Sequence, residues 1–279
     1  MRRRNVNDLD TALHAAALRR RNRHAIKTVI LAGGKGTRLK PYTSVLPKPL
    51  MPLGDRAILE VVIHQLARHG LTDITLSVGH LAHLVEAVFG NGARYDANIS
   101  YVQEDVPLGT AGPLRRVSGL DDTFLVLNGD LVTTLDFQEL LRSHRASKNV
   151  LTIATRRRQV KIDYGVVGVN GGSRRLQRVV RFEEKPVLDR MVSMGIYVME
   201  PQVLNFIPDG VHFDFPDLVH CLLDARAPLG AFIYDGLWLD IGRHEDYEQA
   251  LALWEQGELS MLDGAPADES RVAAAASHG

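Results

Sequence analysis

Short runs rich in β-branched and apolar residues at 28–32, 74–78, 99–102 and 124–127 are interleaved with helical stretches at 57–69 and 81–89. That alternation limits the fold more than any other feature. A strand that feeds a helix comes back to its sheet through a crossover and lies parallel to its predecessor. Gly70 supplies a stop signal for the first helix, because glycine closes helices at little steric cost. A helix at 137–144 and a strand at 150–155 continue the series. The prediction is an α/β fold, a Rossmann-like and mostly parallel sheet flanked by helices. Ligands in such sheets bind beyond the carboxyl ends of the strands.

After about residue 161 the texture changes. Segments 164–169, 176–182 and 194–198 read as shorter strands separated by turns, a smaller lobe laid against the first half. The expected organisation is a basic N-terminal extension at 1–25, one domain at 26–258 with halves at 26–160 and 161–258, and a flexible tail at 259–279. The extension carries Arg2, Arg3, Arg4, Arg19, Arg20, Arg21 and Arg23 but no aromatic residue to stack on bases, so it reads as a solvated leader. It also lacks the apolar segment of a secretory signal.

The charges balance, 33 basic against 33 acidic residues. Nothing therefore draws the whole chain to nucleic acid or to an anionic membrane, and anion binding has to be local. No apolar run is long enough to span a bilayer. The expectation is a cytoplasmic protein with neither nucleic acid nor membrane as partner. The single cysteine, Cys221, excludes an intramolecular disulfide. It lies in an apolar run at 218–223, where buried packing is expected. The histidines form no zinc-binding pair, and His80 and His83 read as surface residues.

The local anion site announces itself after the first strand. Val29-Ile30-Leu31-Ala32 runs into Gly33, Gly34 and Gly36, then Thr37 and Arg38, with Lys48 between two prolines. Glycines let backbone N–H groups form an anion-binding concavity, and Arg and Lys add a fork and a point charge. The spacing fits neither a Walker A loop nor a dinucleotide fingerprint. Three further segments stay open on residues alone. Asn128-Gly129-Asp130 ends a strand, where Asp130 is a metal ligand or a turn residue. Asp240 is a ligand or a polar cap beside Trp238. Residues 181–186 read as a solvated charge run. In the stretch 103–114, Gly109 and Gly112 admit a flat ring and Thr110 suits a cap for the following helix.

Gly33-Gly34-Lys35-Gly36-Thr37-Arg38-Leu39 with Pro47-Lys48-Pro49-Leu50 resembles the signature of the sugar-1-phosphate nucleotidyltransferases, the nucleotide-sugar pyrophosphorylases. The resemblance runs from about residue 27 to 255. It implies transfer of a nucleotidyl group from an NTP to a sugar 1-phosphate. Two anions meet and a third leaves, so positioning and charge stabilisation carry the catalysis. By resemblance, Arg38 faces the departing pyrophosphate, Lys48 the triphosphate, and Asp130 and Asp240 hold Mg²⁺. Lys185 takes the sugar phosphate, with Gly165, Glu184 and Gly195 on the sugar. Leu31, Ala32, Gly33, Gly34, Gly36, Thr37, Gln103, Glu104, Gly109, Thr110, Asn128 and Gly129 bind the nucleotide.

The wording Pro-Leu-Gly-Thr-Ala-Gly-Pro-Leu is most similar to mannose-1-phosphate guanylyltransferases, where Glu104 would accept from guanine N1 and N2. Gln103 leaves a pyrimidine open, hence a dTTP- or UTP-dependent glucose-1-phosphate enzyme as alternative. Ser193, where the family often has Asn, leaves the hexose or heptose open. A non-catalytic regulatory paralogue is the remaining alternative, and a homo-oligomer is the family-based expectation.

Overall fold

In chain order the elements are β1 (Lys27–Ala32), α1 (Ile58–Arg68), β2 (Asp73–Val78), α2 (Ala82–Phe89), β3 (Asn98–Gln103), β4 (Phe124–Asn128), β5 (Leu131–Thr133), α3 (Phe137–Ser147), β6 (Leu151–Lys161), β7 (Val166–Gly172), β8 (Gln177–Glu183), β9 (Val187–Met199), α4 (Phe215–Asp224), β10 (Leu229–Ile233), β11 (Trp238–Asp240) and α5 (His244–Glu255). The computed structural model describes residues 26–34, 36–104, 106–242, 244–259 and 262. The basic extension at 1–25 and the tail from 263 onward lie outside the described residues.

β1 is the spine of a seven-stranded sheet of order β10-β6-β9-β4-β1-β2-β3. It pairs in parallel with β2 on one side and β4 on the other. Only β9 runs against its neighbours β4 and β6, so the sheet is mostly parallel, as the alternation requires. Successive residues of a strand point to opposite faces. Val29 therefore enters a core with Phe215, Leu218 and Leu222 of α4. Ile30 enters the core built on the other face by α1, α2 and α3. Burial on both faces explains why β1 and β4 are continuous apolar runs. α1 ends as read: Gly70 has φ +75°, and Leu71 N–H donates to Leu66 C=O at 2.9 Å.

The second half departs from the sequence reading in length. β6 and β9 have 11 and 13 residues, not the short strands expected, and pair from Lys161↔Val187 to Leu151↔Met199. Their outer parts form a two-stranded ribbon beyond the sheet. Ladder pairing overrides the polar look of Arg156-Arg157-Arg158, because a solvated ribbon needs no buried face. The hairpin β7–β8 forms its own two-stranded sheet.

Two further expectations need correction. The apolar run at 218–223 belongs to α4, where Leu218 and Leu222 are buried. Cys221 lies off that stripe and is exposed, contrary to the buried role expected. Leu259 and Leu262, assigned to a flexible tail, are buried in a third core that includes Tyr247 and Ala250 of α5.

A polar network locks α3 to the sheet. His144, 1% exposed, meets the Thr152 hydroxyl at Nδ1 (2.7 Å) and a Glu200 carboxylate oxygen at Nε2 (3.1 Å). Thr123 Oγ1 donates to the same oxygen at 2.7 Å. A neutral imidazole protonated on Nε2 satisfies both contacts. Burial pushes the His144 pKa below its ordinary value, against the upward pull of Glu200 and with a smaller downward push from Arg145.

The unfolded chain therefore takes up a proton that the native state resists. Stability is fully present above about pH 6.5 and is lost as pH falls below it. His144→Gln should lower the melting temperature at pH 7.5 by about 5 °C and flatten its decline between pH 6.5 and 5. Calorimetry across that range checks both.

Candidate active site

β1 and β4 end side by side, with Leu31 in register with Asn128. Both following loops open onto one cleft of about 710 Å³. Its lining includes Leu31, Ala32, Gly33, Gly34, Gly36, Thr37, Arg38 and Lys48, with Asn128, Gly129, Asp130, Glu104, Gly109 and Thr110; a Cβ on Gly33 would lie 3.0 Å from Glu104 Oε1. The glycine loop turns at Gly36, whose φ is +59°. A Cβ there would lie 2.8 Å from Thr43 Cγ2, and Thr43 Oγ1 donates to Gly36 C=O at 2.7 Å. A buried Leu39 anchors the next turn, leaving Thr37 and Arg38 exposed to the cleft. Lys35 lies outside the described residues.

The charged centre is built on Lys48 and Asp130. Lys48, buried between its two prolines, forms an ion pair with Asp130 Oδ2. Asp130 Oδ1 is buried without a hydrogen-bond partner among the described residues. Native structures rarely leave such an oxygen unmet. Asp240 arrives beside it because β11 pairs with β5, Asp240 opposite Leu131; Ile241 N–H also donates to Asp130 C=O at 3.0 Å. Desolvation raises the Asp240 pKa, and the Asp130 charge raises it further, while Lys48 and Arg38 pull it down. All four side chains thus share one electrostatic neighbourhood.

These residues fit a hard divalent cation. Two carboxylates repel each other across a gap, and one oxygen is orphaned. No cluster of three or more His, Cys, Asp or Glu is present among the described residues. Mg²⁺ characteristically takes one or two carboxylates and completes its shell with phosphate oxygens and water.

Glu104 lines the cleft beside Gly33. Its Oε1 accepts from Ser77 Oγ at 3.0 Å and its Oε2 from Leu108 N–H at 2.9 Å. Gln103, the last residue of β3, is exposed and lies outside the cleft lining. Thr110 does not cap the turn that follows it, Gly112–Arg116, which has no side-chain cap. Its hydroxyl instead donates to Asp214 Oδ1 at 3.0 Å and accepts from Phe215 N–H at 2.9 Å.

The residues expected on the sugar are less concentrated. Gly165 lies against the Phe182 ring and the Glu184 carboxylate. Gly195 has φ +72° and sets its Cα against the Asn128 side chain. Lys185, also at positive φ, is exposed. None of these four lines the cleft, and only Gly195 reaches it, through Asn128. Ser193 Oγ donates to Tyr197 Oη and accepts from Gly195 N–H, both at 3.2 Å, so its hydroxyl is turned back on its own strand.

Ser77, Gly79, His80 and His212 line the cleft as well. The sequence reading missed Ser77 and Gly79, and placed His80 at the surface without a site. Ser77 lies at the end of β2, the parallel neighbour of β1, and Gly79 and His80 follow it, so the strand-end rule could have found them. His212 comes from the loop before α4, which carried no such signal.

A family model described as nucleotidyl transferase matches residues 27–257. The chain is 35% identical over 246 residues to a UTP–glucose-1-phosphate uridylyltransferase of Synechocystis sp., covering 81% of this chain and 62% of that protein. It is 34% identical over 240 residues to a mannose-1-phosphate guanyltransferase of Yarrowia lipolytica, covering 82% and 64%. It therefore spans less than two thirds of the length of these relatives. A solved structure of a candidate glucose-1-phosphate thymidylyltransferase from Bacillus anthracis matches with TM-score 0.64 at 26% identity, covering 82% of this chain and 95% of that one. With its glycine loop, its paired aspartates and 231 consecutive residues inside the family model, the chain belongs to the nucleotidyl transferase family.

Proposed function

We propose that the protein transfers a nucleotidyl group from an NTP to a sugar 1-phosphate and releases pyrophosphate. The observation that carries this reading is the Lys48–Asp130 ion pair with its orphaned Asp130 oxygen, beside Asp240 and below the glycine loop. A phosphate oxygen of the sugar 1-phosphate forms a bond to the α-phosphorus, and the bond from that phosphorus to the oxygen bridging to the β-phosphorus breaks. The attacking oxygen is already an anion, so no general base is required.

The chain's own groups hold charge. Loop amides of Gly33, Gly34 and Gly36 and the Arg38 guanidinium would take the phosphates that leave, and Lys48 would face the triphosphate. Asp130 and Asp240 would hold Mg²⁺, which when bound supplies the positive charge that neutralises phosphate oxygens. Lys185 would take the sugar phosphate, with Glu184, Gly165 and Gly195 on the sugar. Arg38, Lys48, Asp130 and Asp240 lie together, which disfavours a regulatory paralogue that has lost catalysis.

GTP is the favoured nucleotide, with mannose 1-phosphate or a related hexose or heptose 1-phosphate as acceptor. Glu104, not Gln103, lines the cleft. A carboxylate accepts from the donor edge of guanine and repels the carbonyl edge of uracil or thymine. Relatives named for UTP with glucose 1-phosphate and for mannose 1-phosphate guanylyl transfer lie at similar identity, so a UTP- or dTTP-dependent glucose enzyme is the second reading.

A matrix of nucleoside triphosphates against sugar 1-phosphates, read by pyrophosphate release, should give its highest kcat/KM with GTP. Faster turnover with UTP or dTTP would overturn the base reading. Glu104→Gln should reduce the preference for GTP over UTP by about tenfold or more. Asp130→Asn should cut pyrophosphate release by about a thousandfold at saturating substrates, and turnover near wild type would remove the metal assignment. The homo-oligomer belongs to the same reading; size-exclusion chromatography with light scattering should give a mass above that of one chain.

A further inference from the structure

The loop at 108–112, which adds Gly109 and Thr110 to the cleft lining, is not self-supporting. Its first end is held by Glu104, which takes Ser77 Oγ and Leu108 N–H. Its second end is fastened to a strip from the other half of the chain, at 213–215. Phe213 N–H donates to Leu108 C=O at 2.8 Å, and Phe213 C=O accepts from Ala111 N–H at 3.0 Å and Gly112 N–H at 2.9 Å. Asp214 Oδ1 accepts from Thr110 N–H at 2.8 Å and from its hydroxyl at 3.0 Å. That hydroxyl in turn accepts from Phe215 N–H in the first turn of α4. The fit is close: a Cβ on Gly109 would lie 2.6 Å from Phe213 C=O.

The strip has a rigid footing. Asp214 is the N-cap of α4, its side chain facing the N3 backbone while its own N–H donates to Asp217 Oδ2 at 3.0 Å. The Phe215 ring lies parallel to Tyr197 of β9 with centroids 4.1 Å apart, and Leu218 and Leu222 below it are fully buried. One carboxylate thus starts a helix and fixes a loop across the cleft. Asp214 and Asp217 form a reciprocal box at the start of α4, and the Thr110 hydroxyl adds to it by accepting from the first helical amide, Phe215 N–H. The pair of Thr110 bonds is additional and points toward the nucleotide wall.

We propose that Asp214 is a positioning residue for the nucleotide, acting through Thr110 on the height and tilt of the loop at 108–112. This rests on the nucleotidyl-transfer reading but not on the identity of the base. Asp214 touches no substrate. It sets the wall against which the base lies, so its loss weakens nucleotide binding and leaves the transfer step and the sugar 1-phosphate alone.

Steady-state kinetics with whichever triphosphate the wild-type enzyme uses fastest will test this, so a failure of the guanine reading does not disturb it. Asp214→Ala should raise KM for that triphosphate about tenfold, with kcat and KM for the sugar 1-phosphate within about twofold of wild type. Asp214→Asn keeps an acceptor oxygen and should restore KM to near wild type. Asp217→Ala breaks only the return bond of the capping box; it should lower the melting temperature without moving either KM. Thr110→Val, which keeps the Asp214–Asp217 box but removes the acceptor of Phe215 N–H, should raise KM for the triphosphate about threefold, and Thr110→Ser, which restores that acceptor, should rescue it; this pair decides the matter if Asp214→Ala does not fold. The proposal is overturned if Asp214→Ala or Thr110→Val leaves the triphosphate KM within twofold of wild type, or raises both KM values together.

Discussion

Much of the site depends on one charge contact. Lys48 and Asp130 come from segments 82 residues apart, one on a proline-stiffened turn and one at the end of β4. Each is largely removed from water. A partly buried lysine and a partly buried carboxylate need each other, because either alone would carry a large desolvation cost. Their pairing fixes the turn after the glycine loop over the end of the sheet. It also consumes one Asp130 oxygen and leaves the other buried without a hydrogen-bond partner among the described residues. The fit of the site to a cation rests on that asymmetry: one oxygen is satisfied by the protein and one is not.

The fold was legible where burial and local pattern agree. β1, β2, β3 and β4 are buried or half-buried runs with helices between them, and their order in the sheet follows from parallel crossovers. The glycine loop and Asp130 were legible for the same reason, since each sits at the end of a strand whose partner is known. What local pattern could not supply was anything set by distant pairing. β9 continues past its apolar segment because β6 offers a matching ladder, and no property of Asp189-Arg190 alone would predict a strand. Cys221 looked buried because its neighbours are apolar, but a helical stripe selects Leu218 and Leu222 and passes it by.

Within the site, the same distinction holds. Gln103 and Glu104 are adjacent in sequence, and nothing local says which of them lines the cleft. The end of β3 decides it: Gln103 completes the strand and stays in solvent, while Glu104 turns inward to Ser77. Thr110 illustrates the opposite error. A threonine before a helical turn suggests a cap for that turn, but its hydroxyl is used by a helix start more than 100 residues away. Long-range hydrogen bonds of this kind leave no trace in residue spacing.

The ribbon formed by β6 and β9 has a mechanical consequence. At 197–199 β9 is held on both sides, by β4 and by β6; at 187–193 it is held by β6 alone. The change occurs at a register shift between Ser193 and Tyr197, and Gly195 at positive φ lies inside it. Bending energy concentrates where ladder bonds are fewest, so the ribbon can swing as a stiff arm pivoting at Gly195 while the sheet stays still. The arm's far end is the turn that carries Glu184 and Lys185, and its pivot rests against Asn128 in the cleft lining. A small rotation at one glycine thus becomes a much larger displacement at the far end of the ribbon.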